Sequence, residues 1–123
     1  MLFRSIQIWI EPSDEDFEPS YQQIAFDASE KRGRLRLLAA PKGGATIIHQ
    51  DALLFASELF PKETTSHTLA PARHAWIQVV RGDVVLNGHK LNEGDGAAVS
   101  DEADLTFVGS GTSGGEFLLF DLA

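Results

Sequence analysis

Four histidines, His49, His67, His74 and His89, are the side chains of this sequence best suited to chemistry, because imidazole ligates metals and moves protons near neutral pH. Two histidines separated by one residue on a strand would have both rings on one side, because the pleat has period 2, and could hold a metal between them. No two of the four have that spacing. His49 and His67 can still meet across neighbouring strands and recruit Asp51 or Glu116, a two-imidazole, one-carboxylate set that suits an iron-type divalent ion. These two are the candidate metal ligands. The plainer reading makes His49 and His67 hydrogen-bonded groups near one end of the fold. It puts His74 in a loop before a strand and His89 beside a turn in solvent.

Other chemistries lack their residues. The chain has no cysteine, which removes thiolate nucleophiles, disulfides and Cys-ligated zinc. Ser57, Ser66 and Ser100 have no nucleophile-elbow motif around them. The acidic runs Asp14-Glu15-Asp16 and Asp101-Glu102 read as solvated loop charge. Gly109 to Gly115 resembles a phosphate cradle in composition but lacks a following Lys-Ser/Thr, so it reads as a flexible hairpin connection. No catalytic residue and no cofactor is expected from these patterns. Trp9, Trp76 and the eight phenylalanines could line a pocket for a small phenolic ligand, but at strand spacing they read as core.

The formal net charge of −8, from 18 acidic and 10 basic side chains, opposes direct binding to nucleic acid and offers no polybasic patch to a membrane. No stretch approaches the roughly 20 apolar residues of a membrane-spanning helix. The apolar run Leu2 to Ile10 is interrupted by Arg4 and Gln7 and has no cleavage site after it, so it reads as a strand and not a leader. With no cysteine and no targeting signal, a reduced, cytoplasmic setting is the expectation.

The elements that would position any site are short strands. Glu11 to Ser20 carries five acids and two prolines and is a loop, with a short extended or turn segment at Tyr21 to Phe26. After it, apolar runs recur at 35–40, 46–50, 52–60, 66–69, 75–80, 84–86, 96–99, 105–108 and 116–122, about nine strands in all. Residues 52–60 have helix-forming composition, but Pro61 and the flanking strands favour extension. Glycines punctuate the runs at Lys42-Gly43-Gly44, Arg81-Gly82-Asp83, Asn87-Gly88 and Glu93-Gly94-Asp95-Gly96, and Asn87-Gly88 is the strongest hairpin signal. At 123 residues and 43% hydrophobic content, one all-β domain spanning 1–123 is expected, closed as a barrel or jelly roll to protect its edges.

Five strings, "QIWI" at 7–10, "HQD" at 49–51, "WIQVVRG" at 76–82, "GDGAA" at 94–98 and "LLFDL" at 118–122, together resemble the C-terminal cupin domain of pirin-like proteins. Their order and spacing fit along essentially the whole chain. The resemblance implies a single cupin barrel, a double-stranded β-helix, from a two-barrel family. Members of that family include quercetin 2,3-dioxygenases and a nuclear transcription cofactor. It also implies that the family's iron-type metal site belongs to the N-terminal barrel, outside this chain.

Laid on the cupin pattern, the glutamate ligand position falls seven residues before Gly82, at Ala75, and the later histidine falls near Leu105 or Thr106. None of these side chains binds a metal, and Ala75, Ile77 and Val79 share one strand face that would line the lumen. The expectation is a non-catalytic module that pairs with a second cupin domain or dimerises with a copy of itself. The alternatives are a quercetinase-like dioxygenase using a metal at His49 and His67, and a barrel that binds a small apolar ligand in its lumen.

Overall fold

In the computed structural model the described residues are Ile8, Ile10, 31–44, 46–48 and 50–123. The expected strand at Leu2 to Ile10 falls largely outside them, and the acidic loop, Tyr21–Phe26 and His49 lie wholly outside. Eight strands follow: β1 (Arg36–Ala40), β2 (Thr46–Ile47), β3 (Ala52–Leu59), β4 (Thr64–Thr68), β5 (His74–Leu86), β6 (His89–Leu91), β7 (Gly96–Ser100) and β8 (Asp104–Leu122). The 52–60 segment is extended, as its flanks predict.

Two long strands organise the rest. The first half of β5 lies between β7 and the last part of β8, while its second half lies between β6 and the first part of β8. The two halves of β8 pair with different outer strands, β4 at 104–108 and β3 at 115–122. Alternation then turns Ala75, Ile77, Val84, Leu86, Leu105, Phe107, Phe117 and Leu119 into one shared buried cluster. The opposite face of β3 and β8 buries Leu54, Ala56 and Leu118 against Ala39 of β1. This covering of both faces accounts for apolar runs that do not alternate cleanly.

Two expectations from the sequence need correction. Arg81-Gly82-Asp83 is not a turn between strands; it is a bulge inside β5, where the register with β8 shifts. Gly109–Gly115 is likewise not a hairpin connection, because 105–108 and 116–122 are collinear parts of β8. Gly82 pairs with Gly115 and Asp83 with Ser110, so residues 111–114 bulge out of the ladder. The close approach explains the glycines: a Cβ on Gly82, whose φ is +71°, would lie 2.0 Å from the Gly114 carbonyl oxygen. Two pairs of short runs thus become two long strands, and β6 is added.

The hairpin at Asn87-Gly88 is present, joining β5 to β6 with Leu86 opposite His89. Both loop residues have positive φ, 47° and 82°, as a type I′ turn requires. Asn87 also stitches this turn to β8: its Oδ1 accepts the Thr106 N–H at 2.8 Å and its Nδ2 donates to the Asp104 carbonyl at 3.0 Å. Replacing Asn87 with alanine should therefore cost about 1–2 kcal/mol in urea unfolding, with the midpoint falling and the slope unchanged. No helix among the described residues is long and apolar enough to cross a membrane.

Candidate functional site

Where β8 ends, one residue breaks its apolar inner face. Phe117, Leu119 and Asp121 alternate on that face, and Asp121 is only 4% exposed. Its cross-strand neighbours are Ala75 on β5 and Leu53 on β3. A buried carboxylate must be paired. Asp121 Oδ2 lies 2.8 Å from His67 Nε2, and Oδ1 accepts from Arg73 Nε. Arg73 also reaches the Asp121 carbonyl through Nη2 at 3.2 Å, and through Nη1 both carboxylate oxygens of Asp51 at 3.0 Å. The bonds to Asp121 and then to Asp51 hold the guanidinium charge more firmly than in an ordinary arginine.

His67 reaches this cluster from β4, whose partner is the other half of β8, so the His67–Asp121 contact ties the two halves of the barrel at its mouth. The Phe55 ring packs on the imidazole at a centroid distance of 5.0 Å. Arg73 belongs to the β4–β5 loop, which with Asp101–Ala103 lines a shallow depression of about 490 Å³.

The structure brings His67 and Asp51 into one network through Asp121 and Arg73, but leaves Glu116 elsewhere, bonded to Lys31 at 2.8 Å and Arg81 at 2.6 Å. His49 lies outside the described residues. His74 opens β5 instead of sitting in a loop, with its Nδ1 2.7 Å from Ser100 Oγ, and His89 is exposed in β6. Ala75 and Leu105 are buried at 3% and 0% exposure, whereas Thr106 points outward. Trp76 is not core: it is 40% exposed on the outer face.

The described residues at this mouth do not suit a metal ion. His67 and Asp121 supply two donors, but the second carboxylate oxygen of Asp121 is taken by a guanidinium whose positive charge opposes a cation. Among the described residues no group of three or more His, Asp or Glu is placed to hold one. The sequence reading missed Asp121 and Arg73. The available signal was an acid on the apolar phase of "LLFDL", where alternation demands burial and therefore a partner.

Deeper in the barrel, Ser57 is fully buried opposite Phe117, and among the described residues its hydroxyl has no partner. Ser57→Ala should raise stability by about 1 kcal/mol, read as a higher urea midpoint, because an unsatisfied buried hydroxyl carries its desolvation cost unrepaid.

Two layers sharing a pair of bulged long strands around one apolar lumen define a small barrel of the double-stranded β-helix class. Residues 37–122 match the quercetinase C-terminal cupin domain, and the chain belongs to that family. It is 39% identical over 116 residues to a quercetin 2,3-dioxygenase of Escherichia coli K12, covering 94% of this chain and 49% of that protein. The crystal structure of YhhW from Escherichia coli superposes with a TM-score of 0.83 at 37% identity, over 94% of this chain and 48% of that one. The bacterial pirin YhhW in complex with nickel(II) superposes at 0.79 with 35% identity, over 90% and 47%. The chain thus spans about half the length of the curated relatives it matches.

Proposed function

We propose that residues 1–123 form a non-catalytic cupin module, the structural or partner-binding half of a two-barrel assembly. The observation that carries this reading is the lumen: the cupin ligand positions hold buried Ala75 and Leu105, and Phe107 and Phe117 stack there with centroids 4.5 Å apart. The network of His67, Asp121 and Arg73 links β4, the β4–β5 loop and the end of β8, a structural and not a catalytic use of these groups. Among the described residues these side chains pack against one another in one buried cluster, which favours a packed lumen over an apolar-ligand site.

The relatives named quercetin 2,3-dioxygenase, and the nickel complex of one neighbour, favour a second reading in which a metal at His49 and His67 supports dioxygenase chemistry on a flavonol or small phenolic. Elemental analysis of protein purified without chelator separates the two. The first reading expects less than a tenth of an equivalent of metal per chain; near-stoichiometric iron, manganese, nickel or copper would overturn it. Association with a second barrel is read independently by sedimentation, where a clean monomer at high concentration counts against the partner-binding role.

A further inference from the structure

Edge strands normally carry charges, prolines or bulges that keep other chains from pairing with them. Strand β6 carries His89 and Lys90, and β4 is rich in hydroxyls. Strand β7 has none of these devices in Gly96-Ala97-Ala98-Val99-Ser100, and among the described residues its only pairing partner is β5.

Its hydrogen-bonding phase is set by the Val79 N–H, which donates to the Asp95 carbonyl at 3.0 Å. In an antiparallel ladder such pairs alternate, so Ala97 and Val99 bond to β5. The amides and carbonyls of Gly96, Ala98 and Ser100 then point away from the sheet, and all three residues are exposed. The outer face beside them carries one large apolar side chain: the Trp76 ring lies over Gly96, where a Cβ would come within 2.3 Å of it, and Trp76 is 40% exposed.

The ends of this edge are acidic. Glu93 and Asp95 precede β7 and Asp101 and Glu102 follow it, all exposed, and none has an ion pair among the described residues. Pairing with a second copy in the register centred on Ala98 is disfavoured, because it would set Asp95 against the other copy's Asp101. The complement is a strand with cationic ends.

We propose that the open edge of β7 docks an extended polypeptide segment with small or β-branched residues at its centre and Lys or Arg at both ends. Main-chain bonds at Gly96, Ala98 and Ser100 supply the added strand, and the four carboxylates select its ends. This goes beyond pairing with a second barrel and is tested separately from it.

The probe is a synthetic peptide of alternating Val and Thr with two lysines at each end, against the same peptide with glutamates, titrated into the 123-residue chain at low salt. The lysine peptide should bind at least tenfold tighter. At saturation, amide exchange at Ala98 and Ser100 should slow at least tenfold, while Ala97 and Val99, already bonded, stay unchanged. Ala98→Pro removes one outward N–H and spares the ladder with β5, so it should abolish the protection at Ser100. The D101N/E102Q double variant should weaken binding about tenfold and flatten its salt dependence. Equal binding of the two peptides, or binding without protection at Ala98 and Ser100, would overturn the proposal.

Discussion

Replacing Arg73 with alanine will destabilise the barrel by about 3 kcal/mol, at the low end for removing one partner of a buried ion pair. Asp121, 4% exposed, would keep only the His67 imidazole as a side-chain partner, and the bonds from Arg73 to Asp51 and to the Asp121 carbonyl would go as well. Most of that cost is the stranded carboxylate and not the lost attraction. Combining Arg73→Ala with Asp121→Leu should therefore recover a large part of it, and urea unfolding of the single and double variants reads both values. If the double variant is less stable than Arg73→Ala, the carboxylate is not the source of the cost. The raised pKa of Arg73 means that the guanidinium's share is present at every pH below an ordinary arginine's and is lost only as pH rises past its folded-state value. It adds no pH dependence in the neutral range.

Phe117→Ala will cost about 3–5 kcal/mol, the range for deleting a fully buried aromatic ring. Phe117 is 0% exposed, stacks on Phe107 at 4.5 Å and comes from the half of β8 opposite in pairing to that of Phe107. Its loss opens a void between the two halves of the barrel that neither backbone can close without moving the bulge at Gly82 and Gly114. Thermal unfolding in the presence of small apolar molecules gives a second reading, since a dry void of that size can admit one and regain stability. The unsubstituted chain should show no such shift.

Much of the architecture was legible because it rests on local rules. The Asn87-Gly88 pair specifies a two-residue hairpin, since few other residues accept two successive positive φ angles. The spacing of Ala75, Ile77 and Val79 places them on one strand face, and all three are buried. The five strings that carry the cupin resemblance lie in a chain that does belong to a cupin family.

Where the reading failed, the deciding partner was distant in sequence. Glycine marks a turn and a bulge equally well, so Gly82 and Gly109–Gly115 read as strand ends. Only the register of β5 against β8 shows that both strands continue through them. Trp76 looked like core by its type, but its phase puts it outside, over Gly96.

Composition and period-2 patterning by themselves determined an all-β chain, its inner-face residues and the lack of paired histidine ligands, because each depends on residues a few positions apart. Tertiary structure alone decided what the remaining polar groups do. His67, Arg73 and Asp121 are separated by up to 54 positions and meet only when the two halves of β8 close the barrel. A buried charge announces that it needs a partner, but folding chooses which one.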